Sequence, residues 1–146
     1  PPDVVRVCCD DGGGPAVALS AALPHCEHGQ VTVIYADTWC SQVPEGDEWC
    51  AVAAAKGGRR WDVVLDDGRV ESRYLDPDRA ALVAVGLYRF AEKWRLELAL
   101  SAEFFGPTGD EVGLAGVVTT LGLPPEPVEG WRDVGDLDAL AAWRPS

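Results

Sequence analysis

The chain has 146 residues, of which 47% are hydrophobic, and this size predicts a single domain large enough to bury a core. Its 24 acidic residues outnumber 12 basic ones, and a net charge of −12 argues against nucleic acid as a partner. No apolar run approaches the roughly 20 residues of a membrane-spanning helix, so no membrane span is expected.

The first third of the chain predicts short strands separated by turns. An apolar run at residues 4–9 predicts a buried strand, the glycine-rich stretch that follows predicts a turn, and residues 16–19 are interpreted as the returning strand. Residues 31–36 form the clearest strand, because they are β-branched and aromatic. Residues 49–55 are uniformly apolar, so periodicity leaves strand and helix both open.

A hairpin is predicted over residues 61–75. Two strand-like runs, 61–65 and 69–75, flank the sequence Asp66-Asp67-Gly68, and Asp-Gly is typical of a two-residue type I′ turn with positive φ angles. Pro77 should end the second strand, since proline has no amide hydrogen to donate to a neighbouring strand.

A second long hairpin is predicted from residues 80–90 and 94–104. In the second run, Trp94, Leu96, Leu98 and Leu100 alternate with polar or small residues, which favours a half-buried strand over a helix. Trp94 is therefore predicted to be a core residue, as is Trp61 at the start of the first hairpin.

The C-terminal part predicts two short helices. Apolar spacing favours a helix over residues 111–121 that ends at Gly122. Residues 124–127 resemble a stiff proline-containing linker, and Asp136 is a good N-cap for a last helix over residues 136–143. The predicted fold is mainly β: a two-sheet antiparallel β-sandwich with one or two short C-terminal helices.

Candidate metal ligands lie in the first third. Asp10 and Asp11 flank a glycine turn, and Asp37 follows the clearest strand, so these three carboxylates are the candidate calcium ligands. The alternative is that the aspartates cap backbone donors in turns.

A thiol- or zinc-binding function is the second hypothesis for this region. It would use His25, Cys26 and His28 together with the other cysteines: Cys8, Cys9, Cys40 and Cys50. No CxxC spacing is present, which favours exposed histidines and core thiols of a reduced, cytoplasmic protein instead. A catalytic thiol at Cys26 lacks any surrounding motif, and the glycine run lacks the Lys-Ser/Thr of a phosphate loop, so the chain is predicted not to be an enzyme.

Four segments in order resemble the TerD family of tellurium-resistance and stress-response proteins. They are VALSAALP with VTVIYAD (residues 17–37), VVLDDGRVESRYLD (63–76), GLYRFAEKWRLELAL (86–100) and GLAGVVTTLGL (113–123). The resemblance implies a TerD-like β-sandwich at residues 1–123, followed by a linker and short helix at 124–146.

The resemblance also implies a function. It indicates a non-enzymatic module that contacts other proteins of a stress-response complex and binds calcium weakly. The family's N-terminal half, which carries its aspartate-rich loops, has no counterpart here. Since the chain begins Pro1-Pro2 and contains no methionine, it is expected to be a trimmed product or the C-terminal part of a longer protein.

Overall fold

The computed structural model describes residues 13–27, 29–104, 113–133 and 141. The described part holds three α-helices, one 3₁₀ turn and eight strands, which makes it rich in strand with a substantial helical share. In chain order they are α1 (Pro15–Ala22), the 3₁₀ turn (Leu23–His25), β1 (Val31–Ile34), β2 (Thr38–Trp39), β3 (Trp49–Lys56), β4 (Arg59–Val64), β5 (Val70–Leu75), β6 (Ala80–Phe90), α2 (Lys93–Phe104), α3 (Ala115–Leu121), β7 (Pro125–Pro127) and β8 (Arg132–Asp133).

Six strands form one mixed sheet, and the other two form a small ribbon. The order in the large sheet is β5-β4-β6-β3-β7, with β1 also paired to β6, while β2 pairs with β8. All of these pairs are antiparallel except β3 with β7. The mainly β prediction is therefore confirmed in its coarse form, whereas the strands lie in one principal sheet and not in two packed antiparallel sheets.

The two faces of the sheet are covered differently. On one face the three helices contribute buried residues, among them Ala16, Leu96 and Val117, to a core shared with Phe90. On the other face Trp49 and Val83 lie in a second buried cluster, against which the tail residue Trp131 packs. Helices therefore replace the second sheet that a sandwich would need.

The central strand is β6, which is paired along both edges. One edge pairs with β3 over most of its length. The other edge pairs first with β4, at Val83, and then with β1, from Leu87 to Phe90. Since β4 and β1 share this edge, they leave a gap between them at residues 84–86.

The prediction of a strand at residues 94–104 is wrong, because the segment forms α2. Leu96 and Leu100 are buried, whereas Trp94 and Leu98 are 61% and 66% exposed. Buried positions three or four apart define the inner face of a helix. The segment is also rich in Leu, Ala, Glu, Lys and Arg, which favour helix, and this preference outweighs the alternation. The prediction that Trp94 is a core residue is therefore wrong.

The predicted return strand at residues 16–19 is also helical and belongs to α1. Pro15 occupies the start of the helix, where its missing amide hydrogen costs nothing and its fixed φ suits the first turn. Ala16 is fully buried against the core. The alanine-rich sequence after Pro15 favours helix over a second strand.

The first hairpin is confirmed, and its turn differs from the prediction. The amide of Leu65 donates to the carbonyl of Arg69 at 2.8 Å, so three residues lie between the strands. Of the three turn residues, only Gly68 has a positive φ (83°). A three-residue loop with glycine in the left-handed region replaces the predicted type I′ turn.

The ambiguous apolar run at residues 49–55 forms β3. Its first four residues are buried, because helices cover one face of the strand and the segment after α3, with Val128 and Trp131, covers the other. A strand buried on both faces shows no alternation, which is why the sequence left it undecided.

The predicted closing helix is confirmed as α3, and Gly122 ends it in the left-handed conformation. The segment interpreted as a linker contains β7, which pairs in parallel with β3. The predicted strand at residues 4–9 and the predicted helix at 136–143 lie outside the described residues, apart from Ala141. The domain boundary after residue 123 stays a prediction. No described helix is long and apolar enough to cross a membrane.

Candidate functional site

A cavity of about 270 Å³ opens at the gap between β1 and β4 on the edge of β6. The chain leaving β1 folds across this gap: the amide of Tyr35 donates to the Gly86 carbonyl at 2.8 Å, and the Thr38 hydroxyl donates to the Val85 carbonyl at 2.7 Å. The cavity thus lies beyond the carboxyl end of β1, in the gap that β1 and β4 leave along the edge of β6.

Gly86 forms the back of the cavity and is required there. Its φ is 75°, and the pairing of β3 with β6 shifts between Cys50 and Val52, opposite this residue. A Cβ atom at Gly86 would lie 2.7 Å from the Tyr35 ring and 2.7 Å from the Thr38 hydroxyl. Because glycine has no Cβ atom, Tyr35 and Thr38 approach the backbone of β6 at this bulge more closely than any other residue would allow.

Two carboxylates that are far apart in the sequence line the cavity. Asp37 follows β1, and Asp133 lies in β8. The antiparallel pairing of β2 with β8 sets Asp133 directly opposite Thr38, the residue after Asp37. This small ribbon is what brings the two acidic residues to one site.

The β4–β5 hairpin supplies the other polar groups of the wall. The Asp62 carboxylate accepts a hydrogen bond from the Ser72 hydroxyl on the paired strand. The Arg60 guanidinium donates to the Ser72 carbonyl at 3.4 Å. Asp62 is therefore already engaged within the hairpin, while Arg60 contributes a positive charge to the lining.

Two tryptophans form an aromatic wall. The rings of Trp61 and Trp131 meet edge to face with centroids 5.8 Å apart. Arg59 lies over the Trp61 ring at 3.8 Å from its centroid, and its guanidinium forms an ion pair with Asp133. The wall and the carboxylate of β8 are thus held in a single cluster.

The floor of the cavity is formed by two tyrosines above a buried thiol. The rings of Tyr35 and Tyr88 meet at 5.8 Å between centroids. Burial, aided by the charge of Asp62, raises the pKa of Tyr35, and burial raises the pKa of Tyr88 well above its usual value. Burial, with a smaller effect of the Asp62 charge, raises the pKa of Cys50 to about 12. All three groups stay protonated at neutral pH, so they serve as neutral polar groups and not as bases or nucleophiles.

Of the predicted calcium ligands, only Asp37 lies in the described part, and it lines this cavity. Asp10 and Asp11 fall outside it, so a site formed by the three together stays a prediction. Residues 13–27, 29–104, 113–133 and 141 contain no group of three or more His, Cys, Asp or Glu side chains that could hold a metal.

The residues of the zinc or thiol hypothesis are scattered. Cys26 is exposed, Cys40 is half-buried and Cys50 is buried. Cys8, Cys9 and His28 lie outside the described residues. Neither His25 nor Cys26 lines the cavity.

Sequence reasoning missed most of the cavity. Gly86 carried a usable signal, because a glycine inside a strand pattern often marks a bulge or a close approach of another group. Asp133 and Trp131 carried none, since only the long-range pairing of β8 with β2 brings them to the site.

No family model matches the chain, and no curated protein matches it. Solved structures do. A nucleoside-diphosphate-sugar pyrophosphorylase from Vibrio cholerae RC9 has a TM-score of 0.68 at 18% identity, over 88% of this chain and 64% of its own. The chain shares the fold of a sugar-nucleotide pyrophosphorylase.

HddC from Yersinia pseudotuberculosis, in complex with GMP-PN, is similar with a TM-score of 0.57 at 15% identity over 90% of this chain and 61% of its own. A second structure of HddC gives 0.54 at 13% identity. The chain thus spans less than two thirds of the length of each of these proteins.

These similarities overturn the TerD interpretation. The pyrophosphorylase-like fold contradicts the TerD resemblance, the tellurium-resistance and stress-response role, and the prediction of a non-enzymatic interaction module. The matched segments were a strand, an Asp-Gly hairpin and a glycine-ended helix, which are local patterns that many folds contain. The segment at residues 86–100, predicted to be part of a hairpin, instead joins β6 to α2.

Proposed function

We propose that the cavity binds the sugar-phosphate portion of a nucleoside diphosphate sugar, and that the chain is part of an enzyme of the sugar-nucleotide pyrophosphorylase kind. The observation that carries the proposal is that Asp37 and Asp133 line one aromatic-walled cavity, at the gap between β1 and β4. The pyrophosphorylase and HddC structures support it through the shared fold.

The size and lining of the cavity suit one sugar ring. A volume of about 270 Å³ is small for a whole nucleotide sugar. Trp61 and Trp131 offer apolar ring surface, while Tyr35 and Arg60 offer polar groups that can hydrogen-bond to hydroxyl or phosphate oxygens. The nucleotide would then lie outside this cavity.

The charge of the lining calls for a divalent cation. Asp37, Asp62 and Asp133 contribute three carboxylates, against the guanidinium of Arg60 in the lining and that of Arg59, which pairs with Asp133. The site therefore stays negative and repels a phosphate that arrives without a cation. Magnesium is typically bound by one or two carboxylates together with substrate phosphates and water. Asp37 and Asp133 are hard oxygen donors brought to one cavity by the β2–β8 ribbon, and they fit this role. The bound cation would supply neutralisation of phosphate charge.

Each remaining residue has a defined task in this account. The Asp62 carboxylate accepts the Ser72 hydrogen bond, so it contributes a polar group to the wall but already has a partner when the phosphate binds. Arg60 binds phosphate oxygens. Gly86 has no Cβ atom, which leaves room for Tyr35 and Thr38 at the back of the cavity. A pyrophosphorylase cleaves the link between the two phosphates of its substrate with pyrophosphate, so binding and orientation of those phosphates is the work required here.

Isothermal titration calorimetry of the chain with UDP-glucose and GDP-mannose, in MgCl₂ and then in EDTA, tests the proposal. At least one of them should bind in MgCl₂ and lose affinity in EDTA. Asp37→Asn should lower the affinity in MgCl₂ by about tenfold or more, as loss of a metal-site group does. Asp66→Asn, in the exposed hairpin turn, makes the same change away from the cavity and should bind as the parent does. No binding by either sugar nucleotide, or equal affinity for Asp37→Asn, would refute it.

A further inference from the structure

The ion pair between Arg59 and Asp133 involves one of the two carboxylates that the proposed function assigns to the cation. The Arg59 side chain is 42% exposed and that of Asp133 is 21% exposed. Asp133 lines the cavity, and Arg59 reaches it through this pair. The Trp61 face holds the guanidinium from below. Trp61 in turn contacts Trp131, two residues before Asp133, so both partners of the ion pair are tied to the same aromatic wall.

A guanidinium and a divalent cation compete for the same carboxylate oxygens. Arginine is always charged, and it pairs with carboxylates in a fixed geometry. Before a cation can use Asp133 fully, it must displace or share with Arg59. A phosphorylated ligand changes this balance, because phosphate oxygens offer the guanidinium another anionic partner.

We infer that Arg59 is an internal competitor of the divalent cation at Asp133, and that it couples cation binding to the phosphorylated ligand. The cation alone binds weakly because Arg59 occupies Asp133. When the phosphates enter, Arg59 pairs with their oxygens and releases the carboxylate. Arg59 is thus a positioning residue that regulates the site, and this role rests on the proposed function.

Arg60 provides a matched control for charge. It is the next residue, carries the same charge and lines the cavity, but its described hydrogen bond goes to the Ser72 carbonyl and not to Asp133. Removing either arginine makes the cavity more negative by one charge. Only removal of Arg59 also removes the ion pair between Arg59 and Asp133.

The test is Mn²⁺ binding, followed by water proton relaxation, to the parent, Arg59→Gln and Arg60→Gln, each without and with a saturating nucleotide sugar that binds in the calorimetry. Without the sugar, Arg59→Gln should bind Mn²⁺ about five- to tenfold more tightly than the parent, as expected for about 1 kcal/mol of lost competition. Arg60→Gln should gain less. With the sugar nucleotide, the advantage of Arg59→Gln should vanish.

Further outcomes separate the two proposals. If the parent and Arg59→Gln bind Mn²⁺ equally, or if Arg60→Gln gains as much, the role of Arg59 is refuted while the proposed function stands. If no protein binds Mn²⁺ or the sugar nucleotide, both fail. Arg59→Lys keeps the charge with a different geometry and should lie between the parent and Arg59→Gln. A thermal melt of each variant verifies folding, and Arg59→Lys provides the comparison if Arg59→Gln does not fold.

Discussion

At the residue scale, the cavity depends on one glycine. Gly86 has both a positive φ and side chains pressed against the place where a Cβ atom would lie. Gly68, in the β4–β5 turn, has a similar φ of 83° and open space around it. The two glycines therefore separate the cost of the backbone conformation from the cost of crowding.

We predict that Gly68→Ala lowers the free energy of unfolding by about 1 kcal/mol, the cost of a left-handed alanine. Gly86→Ala should cost about 1–3 kcal/mol more, because the methyl group displaces Tyr35 and Thr38 as an overpacked core does. Urea denaturation of both variants measures the difference. Equal losses would show that nothing crowds Gly86.

The buried thiol of Cys50 should make the stability of the fold depend on pH. The pKa of Cys50 is about 12 in the folded protein against 9.0 as its ordinary value, and burial is the main cause. A raised folded pKa means that the unfolded chain loses its proton first. The stabilisation is therefore complete below about pH 9 and is lost as the pH rises toward 12.

We expect the free energy of unfolding to fall above pH 9, with Cys50 contributing up to about 1.4 kcal/mol per pH unit. The pKa of Tyr35 and of Tyr88 is also raised, which adds to the decline at higher pH. Cys50→Ala should make the decline between pH 9 and 10 shallower, measured by urea denaturation at each pH. The exposed Cys26→Ala serves as the control. An unchanged slope in Cys50→Ala would contradict the burial of the thiol.

At the scale of elements, a single threonine joins α3 to the edge strand β5. The Thr119 hydroxyl accepts a hydrogen bond from the Val70 amide at 2.8 Å and donates one to the Val70 carbonyl at 3.1 Å. Unpaired backbone groups on an edge strand are otherwise open to water or to another chain. Thr119 therefore covers the start of β5 from the helix side.

Replacing Thr119 with valine keeps the shape and removes both bonds. We predict a loss of about 1–3 kcal/mol in the free energy of unfolding, because two part-buried backbone groups lose their partner. Thr120→Val, at an exposed neighbouring position, should stay within about 0.5 kcal/mol of the parent. Equal effects of the two variants would contradict the contact.

The second element-scale prediction concerns α2. A strand would place Leu96 and Leu98 on one face, whereas the helix buries Leu96 fully and leaves Leu98 exposed. Leu96→Ala should therefore cost about 2–5 kcal/mol and Leu98→Ala less than about 0.5 kcal/mol. Thermal or urea denaturation distinguishes them. Similar losses for both would restore the strand interpretation.

At the scale of the whole molecule, elements marked by local signals can be predicted from the sequence, whereas those that depend on long-range pairing cannot. The β4–β5 hairpin, β6 and α3 followed from turn residues and periodicity over short stretches. α2 was missed because four alternating apolar residues coincide with a pattern that a helix also permits. β7 and β8 are strands of three and two residues, respectively. Their pairing depends on distant partners, and no local pattern marks them.

The candidate site divides in the same way. Asp37 was predicted as a cation ligand from its place after a strong strand, and it lines the cavity. Its predicted partners are Asp10 and Asp11, from the same first third of the chain. The carboxylate that shares the cavity, Asp133, comes from the other end of the described chain through the β2–β8 ribbon. Topology, which the sequence did not reveal, decides which acidic residues meet.

We propose that a divalent cation binds between Asp37 and Asp133 together with a sugar nucleotide. The most direct test is the loss of amide signals from ¹⁵N-labelled protein on addition of substoichiometric Mn²⁺ with UDP-glucose or GDP-mannose, because paramagnetic broadening falls steeply with distance. Signals of Asp37, Gly86 and Asp133 should disappear first. Broadening centred on the acidic turn at Asp66 and Asp67, or spread evenly over the acidic surface, would contradict a cation site at Asp37 and Asp133.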